Sequence, residues 1–250
     1  MASASIFKNF VHLVEHKSLL VITKAIKEGN YKEEVEAIRK LIADGQDKEA
    51  DKLKKQLLAF TPSGTFENGR KAELLSQYSE FVILDLDKLS PVQIEEGKKL
   101  VALEPYTYAA FISPSGNGLK IIVPVNSGGE HHKIAFQQVC DYYQKVLQLE
   151  VDPSGKDVSR LCFMSYDPDC YRNINAEPFK VNIEQEPEPK KKQEPPKGEQ
   201  TEPKEEQPSN EEQDWLEVFG KCVDFTDRKS SYSDGNRNNY VHLLACNCNR

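Results

Sequence analysis

The stretch FVILDLDKLS, residues 81–90, decides how this chain is read. Four apolar residues run into two aspartates separated only by Leu86. A short apolar run bounded by polar turn residues is the pattern of a buried strand. Side chains alternate along a strand, so Asp85 and Asp87 project from one face, about 6.6 Å apart, and Leu86 turns into the core. Two carboxylates on one face repel unless something positive lies between them. A divalent cation such as Mg²⁺ or Mn²⁺ meets that need. The plainer arrangement is a strand end that surfaces into solvent, with Asp87 in the turn.

Downstream, Ser90-Pro91-Val92-Gln93 carries a capping-box pattern with proline at the first helical position, which predicts a helix to about residue 103. Residues 106–112 and 120–125 read as strands joined by SPSGNGL, and residues 160–165 and 179–183 as further strands. Residues 130–147 read as a helix with Ile134, Val139, Tyr142, Val146 and Leu147 inward. Upstream, residues 31–43 and 46–58 have apolar positions at helical spacing, broken by Asp44-Gly45. Lysines and glutamates cover the rest of both, so they read as a solvated helical hairpin. Strands, crossover helices and one hairpin predict an α+β fold.

The 250 residues are 29% charged, with net charge −7, and the mean hydropathy is −0.63. No apolar run approaches the roughly 20 residues of a spanning helix, and the N-terminus lacks the basic-then-apolar order of a signal peptide. A cytoplasmic chain without membrane contact is expected. The six cysteines, at 140, 162, 170, 222, 246 and 248, form no CxxC pair and are expected as reduced thiols; Cys246 and Cys248 are too close for an ordinary zinc site. The net charge argues against a strongly basic nucleic-acid coat but not against a local basic surface. Residues 184–214 contain no aromatic or aliphatic side chain and are dense in Pro, Glu, Lys and Gln, so a disordered, extended linker is expected there. The domain expectation is a folded unit at 1–183, the linker at 184–214, and a segment at 215–250 too short for its own core, read as the start of a second module cut short.

Two further motifs carry chemistry. In SPSGNGLK, residues 113–120, Gly116 and Gly118 let backbone N–H groups approach an anion, Ser115 adds a hydroxyl and Lys120 a charge. The plainer reading is a hairpin turn, for which Gly-Asn-Gly is good chemistry. In VDPSGKDVSRL, residues 151–161, Asp152 would complete an acidic site and Arg160 would pair with phosphates or orient the acids. The plainer reading is an aspartate-rich loop with a surface Asp157–Arg160 pair, worth little.

LDLD, SPSGNGLK and VDPSGKDVSRL, in that order, resemble the archaeo-eukaryotic primase superfamily. The similarity is to the primase-polymerase branch of bacterial mobile elements and phages, whose front domain is labelled after virulence-associated protein E. It runs over about residues 58–169, with LLAFTPSGTF and RLCFMSYDPDCY as further similar stretches. The end, GNRNNYVHLLACNCNR, is similar to the start of the helical primase C-terminal module, which a helicase domain commonly follows.

The resemblance implies an archaeo-eukaryotic primase-like core, an RRM-like sheet unit packed on a second αβ unit. It implies Asp85, Asp87 and Asp152 as catalytic acids and ligands of two Mg²⁺ or Mn²⁺ ions, with Asp157 as the nearby alternative to Asp152. Ser115, Gly116, Gly118, Lys120 and Arg160 would bind the nucleotide. The second motif of the family usually ends in histidine; Lys120 keeps the charge without the ring, which bears on nucleotide affinity and preference. The five histidines, at 12, 16, 131, 132 and 242, fall outside the motifs, and none is assigned a catalytic role. The implied function is DNA primase or polymerase activity: metal-dependent nucleotidyl transfer from nucleoside triphosphates, templated by single-stranded DNA, with a helicase domain or protein as partner. The alternative is a non-catalytic single-stranded-DNA-binding or replication-initiation module on the same fold. A metal-dependent phosphoesterase would need histidine ligands that the motifs lack.

Overall fold

In the computed structural model, which describes residues 2–184 together with Val223 and Thr226, the elements run β1 (Ser3–Lys8), β2 (His12–Ser18), α1 (Leu19–Glu28), α2 (Lys32–Ala43), α3 (Asp47–Lys54), β3 (Ala59–Phe60), β4 (Gly64–Phe66), β5 (Leu75–Tyr78), β6 (Phe81–Leu86), α4 (Pro91–Ala102), β7 (Ala109–Ile112), β8 (Leu119–Pro124), α5 (His132–Leu147), β9 (Cys162–Phe163) and β10 (Tyr171–Arg172). The fold is mixed α+β, as expected. Among the described residues its strands form two four-stranded antiparallel sheets, in the orders β2-β1-β3-β9 and β10-β7-β8-β6, and a β4-β5 pair.

The alternation in β6 sorts its residues between two cores. Val82, Leu84 and Leu86 stand opposite Val123, Ile121 and Leu119 of β8, and all six are buried beneath α4 and α5. Ile83 and its partner Ile122 face the other way, with Ala109 and Phe111, onto Ala4 and Ile6 of β1, Phe60 of β3 and Leu19, Ile22 and Ile26 of α1. Both faces of this sheet are therefore covered. Asp85 follows Ile83 on the second face and stands directly across from Lys120. Helix α4 starts as its sequence predicts: the Ser90 hydroxyl accepts from Gln93 N–H, and the Gln93 side chain accepts from Ser90 N–H at 2.9 Å.

Several expectations need correction. Residues 3–28, for which the sequence predicts no element, form β1, β2 and α1; β2 lies at a sheet edge and has no fully buried residue, so it carries no apolar alternation. The second helix of the hairpin is shorter than residues 46–58, ending at Lys54. The inward face of α5 is Ala135, Phe136, Val139, Cys140, Tyr143 and Leu147. Ile134, Tyr142 and Val146 lie at the margins of that stripe, because packing favours the face holding the Phe136 and Tyr143 rings. The strand expected at 160–165 is only Cys162–Phe163. Residues 179–183 form no strand beyond a single bridge from Phe179 to Val125. There, Val181 and Asn182 N–H donate instead to the side chains of Asn126 and Gln138, so no ladder forms.

The chain divides into two compact units, Met1–Lys190 and Lys191–Arg250. The expected linker and the expected start of a second module lie outside the described residues, Glu184, Val223 and Thr226 excepted. Among the described residues no helix is long and apolar enough to cross a membrane, and Cys140, Cys162 and Cys170 are buried.

Leu84 is fully buried between the sheet and the two helices. Leu84→Ala is expected to lower unfolding free energy by about 2–5 kcal/mol, measured by urea denaturation. A loss under about 1 kcal/mol would mean that this face is not a packed core.

Candidate metal centre

The third acid reaches β6 through the backbone. Asp152 N–H donates to the Asp85 carbonyl at 2.7 Å, and the chain then makes a 3₁₀ turn over Pro153–Lys156. Gly155 of that turn sits so close to β6 and α5 that a Cβ there would lie 2.7 Å from the Ile83 carbonyl and 2.4 Å from the Phe136 ring. Only glycine permits that approach. Buried His132 holds the turn from behind, with Nε2 3.2 Å from the Gly155 carbonyl and Nδ1 3.0 Å from the Tyr78 hydroxyl. A carbonyl only accepts, so Nε2 carries the proton and Tyr78 donates to Nδ1. Burial keeps the His132 pKa below its ordinary value, consistent with a neutral ring.

Asp85, Asp87 and Asp152 are thereby brought together, each offering an oxygen within 4.8 Å of the others. Asp85 is 8% exposed. Its carboxylate pairs with the Lys120 ammonium, while Arg160 Nη2 lies 3.1 Å from Asp152 and 3.5 Å from Asp85. The Asp157–Arg160 side-chain pair of the plainer reading does not form; Asp157 instead accepts from the Ser159 N–H and hydroxyl, both at 2.9 Å. Burial acts to raise the Asp152 pKa, but hydrogen bonds from the Ser154 hydroxyl and N–H, with the charges of Arg160 and Lys120, leave it lowered. Asp87 is shifted the other way. Partial burial disfavours its charge, Asp85 and Asp152 add repulsion, and Lys120 and Lys54 offset only part of it, so its pKa is raised.

Asp85 and Asp87 border a cleft of ≈ 520 Å³. Its lining includes Lys54, Arg70, Lys120, Lys156 and Arg160 against Asp85, Asp87 and Asp157, an excess of cations in a chain whose net charge is −7. Cys162 also borders the cleft, but burial pushes its thiol up to about 12, so it is no thiolate nucleophile at neutral pH.

The glycine turn is placed unevenly. Gly118 abuts the acids: a Cβ there would lie 2.7 Å from the Leu86 carbonyl and 3.1 Å from both Asp87 Oδ1 and Ser113 Oγ. Ser115 instead accepts from Lys54 Nζ at 3.1 Å and borders a smaller neighbouring cavity, and Gly116 lies against Arg39. Ser113 lines the cleft, as Ser154 does; the Ser113 hydroxyl is buried and has no hydrogen-bond partner among the described residues. The helical hairpin is more than a solvated appendage. Arg39 of α2 donates to the Ser113 and Tyr166 carbonyls at 3.1 and 2.9 Å, and Lys54 of α3 reaches the cleft. Lys54 and Arg70 sit in no motif, and only their positive charge could have nominated them; Ser113 and Lys156 lie inside SPSGNGLK and VDPSGKDVSRL, where a hydroxyl and a charge were the available signal.

Residues 52–171 match the family model described as BT4734-like, N-terminal domain, a span that holds the three acids, the glycine turn and Arg160. No curated protein and no solved structure matches the chain.

The raised Asp87 pKa has a consequence for stability. Because the folded-state value exceeds the unfolded one, this group favours the fold below about pH 4, and the contribution is lost as pH rises through the folded pKa. Without divalent cation, Asp87→Asn is therefore expected to melt above wild type at pH 7, by about 1–2 °C given solvent screening. The difference should close below pH 4. Thermal melts in which Asp87→Asn is the less stable protein at pH 7 would overturn this account.

Proposed function

We propose that this chain is a metal-dependent nucleotidyltransferase of the DNA primase-polymerase type, which extends or makes primers on single-stranded DNA from nucleoside triphosphates. One observation carries the reading: three carboxylates lie within 4.8 Å of one another, and two of them, Asp85 and Asp87, border a cleft whose lining holds five cations. A divalent cation satisfies the acids, and a polyanion satisfies the cations. A metal-bound triphosphate satisfies both.

The residues fit Mg²⁺ or Mn²⁺. The donors are all carboxylates, which suit hard cations, and the Ser113 hydroxyl lacks a hydrogen-bond partner beside Asp87. Asp85, Asp87 and Asp152 would hold the ions. Bound there, the metals would supply charge stabilisation to the transferring phosphoryl group and lower the pKa of the attacking hydroxyl. Lys120 and Arg160 would neutralise phosphate charge, and Gly118 keeps the turn free of a side chain beside the acids. Ser115 and Gly116 would support the turn rather than touch the phosphates. Asp152, with its lowered pKa, stays ionised, and a divalent ion would offset the repulsion from Asp85 and Asp152 that helps raise the Asp87 pKa.

The topology agrees with an RRM-like unit in part. The order β6-α4-β7-β8-α5, with β8 between β6 and β7, follows the ferredoxin-like pattern. The last strand, β10, departs from it by joining β7 rather than β6. The sheet of β1, β3 and β9 would belong to the second unit of a primase-like core.

A second reading, a non-catalytic single-stranded-DNA-binding module, is favoured by the ion pairs: Lys120 and Arg160 already neutralise Asp85 and Asp152. The two readings part in primer extension on a single-stranded template with Mn²⁺. The expected result is extension by wild type, falling to background in Asp85→Ala/Asp87→Ala with DNA binding kept. DNA binding that ignores the metal, with no extension and no triphosphate binding, would replace the enzyme by the binding module.

A further inference from the structure

The cleft is charged where it meets the acids, but another part of its lining is aromatic. Phe10 and Phe163 both border it, with ring centroids 5.6 Å apart in an edge-to-face arrangement. Both rings are only partly buried. Lys54 Nζ lies over the Phe163 ring, 5.6 Å from its centroid.

Phe10 holds its place at a cost. It sits at the tip of the β1–β2 hairpin, and both Asn9 and Phe10 have positive φ, 52° and 67°. That conformation is unusual for a bulky side chain and free of strain for glycine. Strain of this kind points to something the side chain does. Arg70 fixes the tip: Nε donates to the Phe10 carbonyl at 3.2 Å, and Nη1 donates to the Ser159 carbonyl at 2.7 Å. Ser159 immediately precedes Arg160, so one guanidinium ties the aromatic tip to the loop that supplies a cation to the acids.

We infer that Phe10 and Phe163 form a nucleobase subsite, on which the base of the bound nucleotide stacks while its phosphates meet Lys120, Arg160 and the acid-bound metal. This rests on the nucleotide reading above and extends it to the base. A cleft with cations and carboxylates in one part and π-faces in another matches a nucleotide, which has the same division, better than inorganic phosphate. Stacking is tolerant of base identity, so the subsite predicts affinity for the base without strong choice among the four.

The test compares dATP with inorganic tripolyphosphate by calorimetry in Mg²⁺, using wild type, Phe10→Gly and Phe163→Leu. Wild type is expected to bind dATP about 5- to 100-fold more tightly than tripolyphosphate. Each variant should bring that ratio towards 1 and leave tripolyphosphate affinity unchanged. Phe10→Gly relieves the backbone strain, so it should melt at or above the wild-type temperature while losing base affinity, a combination that a packing role alone does not give. The subsite falls, and the phosphate site stands, if wild type shows no preference for dATP or if both variants keep it. If neither ligand binds, the nucleotide reading itself fails and the subsite with it.

Discussion

The repulsion among three carboxylates held within 4.8 Å of one another is the constraint on which the rest of the site depends. Two full charges at such a distance repel by about 3 kcal/mol near a protein surface, less where water reaches them. The fold meets this in three ways. Sheet register puts Lys120 directly across from Asp85. Arg160 bridges Asp152 and Asp85. Asp87, the most exposed of the three, carries the remaining repulsion as a raised pKa. The metal-free protein is thus a balanced arrangement. On the proposed reading a divalent ion would enter it by displacing the two cations, which would then be released towards phosphate.

Bringing the acids together requires close contact between backbones far apart in sequence. The Asp152 N–H bond to the Asp85 carbonyl spans 67 residues and joins the turn after α5 to the strand that supplies the other two acids. It forms because residue 155 has no side chain to hold the turn away from Ile83 and Phe136. Gly118 plays the same part on the other side, letting the β7–β8 turn close on the Leu86 carbonyl beside Asp87. Two glycines therefore set the distance between chain segments, and the charges follow.

Local chemistry made part of this legible. The capping box at Ser90, the alternation through β6 and the glycine turn between two apolar strands each reveal an element within a few residues of its true bounds. The shared face of Asp85 and Asp87 follows from strand geometry alone, and their meeting with Asp152 was expected from family resemblance. The non-local parts were hidden. Nothing in FVILDL says that both faces of the strand are buried, because the covering β1 and β3 are short and far away in sequence. Lys54 and Arg39 lie in a lysine- and glutamate-rich hairpin that looks solvated by composition, although Val35, Ile38, Ala50 and Leu57 form a small core there. Phe10 belongs to a hairpin whose edge strand has no periodic signal, so its place at the cleft could not be read from spacing.

Net charge proved a poor guide for a related reason. Residues 184–214 hold 11 acidic and 5 basic side chains, and the remainder of the chain sums to −1. The formal −7 is therefore almost wholly the property of one tract, and it says little about the field inside the cleft. At physiological ionic strength exposed charges are largely screened beyond about 8 Å, so an incoming anion responds to the groups that line its path. Along this path they are five cations and the carboxylates of Asp85, Asp87 and Asp157, and on the proposed reading Asp85 and Asp87, on taking up a metal ion, would turn from a source of repulsion into an anchor for phosphate. On that reading the acids that make the cleft hostile to an anion alone are the ones that would make it receptive to an anion carrying a divalent cation.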